Sequence, residues 1–333
     1  MSVQFRRQLL VGIPGWAATI GLAGACAGAG PQGSPIGQAP APAEPACTLV
    51  VDSGFTPADT IRYVAEPGAA AAGPSSAGRC GNTPSGAPPV VDSVAVPRGG
   101  DLRDLLDRGI AAPGMPRVDV LVTRDPDVLS FATQLGRYRS VALPWDRTYT
   151  LVAPHLDSAI TMPTPEAREA LARDAVQADA RGAQPPFWWE TDSSCATGRP
   201  RYAAGAPRIV GYPADDPIAR QLAERVVALA STRDNPPWIP SVLSLPGGGP
   251  LRTAGFAPTA LIDALAAGQV AAFVTAVPRE RPTVCTTATR IPAGAVLVPL
   301  VDSRAHVLIR RGSGVAFYIE GDGTLRFVSS PTP

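Results

Sequence analysis

Lysine is absent: all 29 basic residues are arginine. That excludes a Schiff-base lysine and the lysine with which a nucleotide loop grips phosphate. Histidine is scarce, with only His155 and His306 in the chain, so a histidine-rich metal centre is excluded. The five cysteines form no C-x-x-C pair, and no H-E-x-x-H occurs, so neither zinc pattern is present. There is no G-x-S-x-G, the turn that exposes a serine nucleophile in one large hydrolase class. Charge of one sign is lacking as well. The 28 acidic residues nearly cancel the basic ones, and a net charge of +1 gives no electrostatic footprint for nucleic acid. These residues point to no enzyme activity, no cofactor and no metal.

What the sequence has is apolar content, at 45%, and an abundance of Pro (38) and Gly (33) gathered in a few stretches. A length of 333 residues allows roughly two domains. Residues 1–25 read as a signal peptide. Arg6 and Arg7 precede an apolar run that is shorter than the ~20 residues a bilayer needs, and Pro14 interrupts it. Two cleavage sites compete. Ala23-x-Ala25 fits an ordinary signal peptidase, whereas Cys26 after LAGA resembles a lipobox with one residue too many. Cysteine parity favours lipidation of Cys26, because Cys47, Cys80, Cys195 and Cys285 then remain as an even set for disulfides. Residues 26–46 form a Pro/Ala/Gly tether that cannot bury a core.

Beyond the tether, 47–51 (CTLVV) reads as a strand, and 68–89 reads as loop. Asp101 caps a short helix that Gly109 stops. Strand 118–122 leads to a helix opened by Asp125-Pro126 and stopped at Gly136, a signature in which each residue meets a specific backbone demand. Strands follow at 140–143 and 148–152. A helix runs from Pro165 to about Ala180 with Gly182 as its stop, followed by strand 208–212. Asp216-Pro217 opens a helix with Ile218, Leu222, Val226 and Leu229 on one face. A short helix at 258–267 and a strand at 269–277 come next. The end alternates in strands at 295–301, 306–310, 315–320 and 324–328. This order argues for α/β lobes.

Several of these segments resemble the extracellular solute-binding proteins of family 5, the oligopeptide/nickel-binding type. They are LRDLLDRG, VDVLVTRDPDVLSFA, LPWDRTYTLVAP, RIVGYPADDPIARQLAERVVAL, LIDALAAGQVAAFVTAVPR and PLVDSRAHVLIRRGSGVAFYIEGDGTLRF, in that order along the chain. The resemblance spans about 200 of the 333 residues. It implies a two-lobed, type II periplasmic-binding-protein-like α/β fold, with mixed sheets, flanking helices and crossing hinge strands. Lobe one would be 47–147 plus 292–330, and lobe two 148–291. By this resemblance the chain would be a shortened form, because usual members carry an additional domain.

The implied function is that of a monomeric lipoprotein in the periplasm or cell envelope. It would close on a short peptide or small organic solute and pass it to an ABC-type permease with its ATPase. Membrane contact would come only through the N-terminal lipid. The implied disulfides are 47–80 and 195–285, one in each lobe, since a bridge between lobes would obstruct closure. The alternative is an envelope structural or interaction lipoprotein that keeps the fold and has lost its ligand.

Candidate ligand contacts follow from position. Thr123 and Arg124 lie between a strand end and a helix start, where an anion or carboxylate can be gripped. The competing reading is a solvated loop charge and a capping threonine. Trp145, Arg147 and Tyr149 would share one face of the crossing strand, either touching ligand or packing the hinge. Asp146 between them reads as a turn residue. Trp188 and Trp189, after Phe187, read as an aromatic platform at the cleft mouth or a satellite core beside Cys195. The Gly247–Gly249 run lacks a strand–glycine–helix context and reads as a surface turn.

Overall fold

The computed structural model describes residues 47–52, 60–65, 90–93, 101–111, 117–154, 161–175, 180–182, 208–244, 249–278, 291, 294–321 and 323–328. The first elements are β1 (Cys47–Val51), β2 (Thr60–Ala65), β3 (Val90–Ser93), α1 (Leu102–Ala111), β4 (Val120–Thr123), α2 (Pro126–Leu135), β5 (Tyr138–Ala142) and β6 (Arg147–Pro154). Next come α3 (Pro165–Ala175), β7 (Ala180–Arg181), β8 (Ile209–Pro213), α4 (Pro217–Ala230), β9 (Arg252–Phe256), α5 (Ala260–Ala266) and β10 (Ala272–Pro278). The chain closes with β11 (Ala295–Ser303), β12 (His306–Arg310), β13 (Ala316–Glu320) and β14 (Leu325–Val328). Among the described residues no helix is long and apolar enough to cross a membrane.

Two mixed sheets share one plan. The five-stranded sheet runs β3-β2-β4-β12-β5, with β2, β3 and β4 parallel and β12 antiparallel to both its neighbours. The six-stranded sheet runs β9-β8-β10-β6-β11-β7, with β8, β9 and β10 parallel and β6 antiparallel to β10 and β11. In both, the chain lays down a first strand, a second on one side and a third on the other. A reversed strand then separates the third from the fourth. Each reversed strand, β12 or β6, is the one that has just crossed from the opposite sheet. The same order in two sheets exchanging one strand each is the two-lobed type II binding-protein arrangement. The crossings, at 143–146 and 304–305, lie side by side, joined by Leu143 N–H to Ala305 O (2.9 Å) and Asp146 N–H to Ser303 O (3.4 Å).

Burial explains why these strands read as apolar runs. All four residues of β4 are buried, as befits a strand covered on both faces. Leu121 packs with the α1 and α2 side chains, while Val120 and Val122 face the small sheet β1-β13-β14. There Phe327 meets Tyr63 and Phe317 edge to face, at 5.9 and 5.6 Å. In the second lobe Tyr149, Leu151 and Ala153 of β6 pack with α3 and α4, and Val152 packs with α5.

The α2 signature forms as expected. Asp125 Oδ1 accepts from the N–H groups of Asp127 and Val128, and Gly136 takes a left-handed φ of 66°. Asp125→Ala should cost about 1 kcal/mol, up to ~2, read as a lower denaturation midpoint. Other boundaries differ. The first helix passes through Gly109 to Ala111. The third helix ends at Ala175, five residues early, and Ala180 begins β7 instead. Gly182 is therefore not a helix stop but a point of close approach, where β7 meets the backbone of Arg168 and Glu169. The return to the first sheet comes at 304, later than the expected 292, because β11 pairs along its length with β6. Strands β2, β3 and β9 occupy segments in which the sequence pattern marks no element.

Candidate functional site

The carboxyl ends of β4 and β8 lead directly into the starts of α2 and α4. Open α/β sheets bind ligands at such ends. Thr123 ends β4, and its Oγ1 accepts from the Asp125 N–H (3.0 Å). His306 pairs with Thr123 across the β4–β12 ladder, and its Nδ1 lies 3.0 Å from Ser140 Oγ.

Arg124 is 5% exposed and is not a solvated loop charge. Its Nη1 and Nη2 donate to Asp146 Oδ1 (2.9 Å) and Oδ2 (2.6 Å). This two-pronged contact is the geometry in which a guanidinium best holds a carboxylate. Asp146 is thus an ion-pair partner, not merely a turn residue. Its Oδ2 also lies 3.4 Å from Arg147 Nε. Burial holds the Arg124 pKa below its ordinary value, the positive charge of Arg147 adds to this, and Asp146 opposes it.

Arg147 and Tyr149 are two apart on β6 and so face one way. Tyr149 is fully buried, and its hydroxyl donates to Asp216, with Oδ1 at 3.1 Å and Oδ2 at 3.0 Å. Asp216 also caps α4, accepting from Ala219 N–H at 2.9 Å. Burial pushes the Tyr149 hydroxyl well above its usual pKa, and the Asp216 charge adds to it. The hydroxyl therefore remains a donor. Arg147 lies near enough to Arg124, Tyr149 and Asp216 to act on all three. A line of charged and polar groups thus runs from the start of α2 in lobe one to the start of α4 in lobe two.

Burial also raises the Asp216 pKa above 3.8, outweighing the Ala219 and Tyr149 bonds that lower it. The native state then holds this proton more tightly than the unfolded chain. Its contribution to stability is complete below 3.8 and is lost as pH rises through the folded value. Asp216→Asn keeps a competent cap. It should flatten the stability curve in the window just above 3.8, as read by denaturant midpoints across pH.

Trp145 precedes β6 and so does not continue the alternation of Arg147 and Tyr149. The guanidinium carbons of Arg181 and Arg304 stand over its ring at 4.3 and 4.4 Å. Trp145 thus ties one crossing to the other and to β7. Asp302, Arg168, Arg181, Arg304 and Asp216 all belong to this neighbourhood, and none was a candidate from the sequence. Asp216 carried a signal, as the cap before Pro217. The others did not, because their partners lie far away in the chain.

Trp188, Trp189, His155, Cys26, Cys80, Cys195 and Cys285 lie outside the described residues, as do Gly247 and Gly248. Cys47 is disulfide-bonded. Among the described residues there is no group of three or more His, Cys, Asp or Glu that could hold a metal ion.

No protein-family model matches the chain, and no curated protein does. Several solved structures are similar in fold. NikA from Brucella suis, in complex with Fe(III)-EDTA, is 12% identical over 58% of this chain and 53% of its own, with a TM-score of 0.31. The periplasmic murein tripeptide-binding protein MppA, in its unliganded open form, is 10% identical over 63% of this chain and 53% of its own (TM-score 0.30). The periplasmic molybdate-binding protein of Azotobacter vinelandii is 10% identical over 76% of this chain and 86% of its own (TM-score 0.31). The alignment spans about half the length of NikA and MppA. The fold assignment rests on the strand order of the two sheets, not on these alignments.

Proposed function

We propose that this chain is an extracytoplasmic solute-binding lipoprotein that holds a short peptide or small organic solute between its two lobes, without chemistry. In this reading residues 1–25 are removed and Cys26 carries lipid. Disulfides join 47 to 80 and 195 to 285, and a permease with its ATPase receives the solute. The proposal follows the resemblance to family 5 solute-binding proteins. One observation carries it: Arg124 of lobe one and Asp216 of lobe two stand at strand ends beside the same crossing, with Arg147 between them. A solute touching both turns would favour one lobe arrangement by its differential contacts.

Thermal melting of the full chain against a panel of peptides, organic acids, sugars and metal salts tests the proposal. A true solute should give a saturable rise in Tm, equivalent to about 2.7 kcal/mol at a hundred times its Kd. Arg124→Gln should abolish that rise. A rise that survives this change places the solute elsewhere.

A second reading has its own observation. Arg124 with Asp146, and Tyr149 with Asp216, already satisfy each other. An envelope protein that kept the fold and lost its ligand would look like this, and a panel with no rise at all favours it.

A further inference from the structure

We infer that Asp146 is an internal counter-ion standing where a solute's own carboxylate docks, so that this site selects carboxylate-bearing solutes. This rests on the solute-binding reading above and names the chemistry of that site. Arg124 engages Asp146 through both terminal nitrogens, at 2.9 and 2.6 Å, the arrangement a guanidinium makes with any planar carboxylate. The oxygen nearer Arg124 is shared, because Arg147 Nε lies 3.4 Å from the same Oδ2. One carboxylate therefore sits between two guanidiniums.

The two partners differ in freedom. The Arg124 side chain is 6% exposed and that of Asp146 is 27%. Arg124 is fixed at the end of β4, whereas Asp146 sits in the irregular crossing just before β6. Its main-chain N–H is bonded to Ser303 O. The carboxylate can thus rotate toward water about its own side-chain bonds without opening the crossing. Arg124 cannot follow it.

Replacing one carboxylate by another conserves the charge and both hydrogen bonds. A neutral group cannot supply the negative charge that faces the buried guanidinium. The competition sets affinity as well as specificity: a solute must outbid a group that is already in place.

The test uses the full chain, Asp146→Ala and sodium acetate, with acetamide as the neutral isostere and chloride at matched ionic strength. The expected result is that Asp146→Ala melts below the wild type in chloride. Acetate should restore its Tm saturably and acetamide should not. Half-saturation should come at an acetate concentration at least about tenfold lower than for the wild type, a shift of ~1.4 kcal/mol. Adding Arg124→Gln to Asp146→Ala should remove the recovery.

Equal half-saturation in both proteins, recovery by acetamide, or recovery that survives Arg124→Gln would each overturn the inference. Should Asp146→Ala fail to fold, Asp146→Asn keeps the shape, and line broadening of labelled acetate reads the same preference. The outcome separates from the broader reading. A neutral solute whose Tm rise depends on Arg124 would keep the solute-binding role and contradict the carboxylate selection.

Discussion

Replacing Asp302 by alanine is expected to destabilise the protein by about 3–5 kcal/mol, the cost of leaving a buried charge without its partner. Asp302 is 0% exposed, and Arg168, reaching across from α3, is 3% exposed. Arg168 Nη2 lies 3.2 Å from Asp302 Oδ1, which also accepts from Thr148 Oγ1 at 2.7 Å. The same guanidinium donates to Leu300 O and Gly182 O, both at 3.2 Å. It is therefore held in place when the carboxylate goes, and cannot swing to water. Burial raises the Asp302 carboxyl above its ordinary pKa, with Arg168 opposing. Removing it also takes away the 2.7 Å hydrogen bond from the Thr148 hydroxyl. Urea denaturation should show a lower midpoint at unchanged slope. A loss below ~1 kcal/mol would mean that Arg168 finds another counter-charge.

The second large effect is Gly182→Ala, expected at about 3 kcal/mol, the upper end for overpacking in a tight site. A Cβ at this position would collide with the main chain of Arg168 and Glu169. No flexible side chain is available to move aside. β7 would have to shift away from α3, and two contacts would go with it. Gly182 N–H donates to Glu169 Oε2 at 2.8 Å, and Gly182 O accepts from Arg168. Both substitutions thus act on the same arginine. The double variant should lose less than the sum, with a coupling of about 1 kcal/mol or more. Simple additivity in urea denaturation would contradict the view that α3, β7 and β11 are joined through Arg168.

What the sequence made legible was local. Asp125-Pro126 with Gly136 carries its own instructions, because each residue satisfies a backbone group within one turn. Asp216-Pro217 is of the same kind. What it hid depends on distant partners. Asp146 reads as a turn residue until Arg124, 22 positions earlier, is seen to hold it. Trp145 reads as part of the β6 alternation until Arg304 of the return crossing is placed over its ring. The pair of Arg168 and Asp302 spans 134 positions and has no motif. The late return at 304 was illegible for another reason. The run from Ala295 to Val301 is apolar throughout and would suit either sheet, so only pairing with β6 assigns it. Strand β9 (RTAGF) lacks the apolar alternation that marks a strand, consistent with its place at a sheet edge.

In the proposed role a solute sits between the lobes at the crossing. Hydrogen–deuterium exchange on the full chain tests it most directly, with and without the panel solute giving the largest Tm rise. Added protection is expected in two places at once: residues 123–128 at the start of α2 and residues 213–220 at the start of α4. Protection of one turn alone, or confined to β1, β13 and β14, would contradict it.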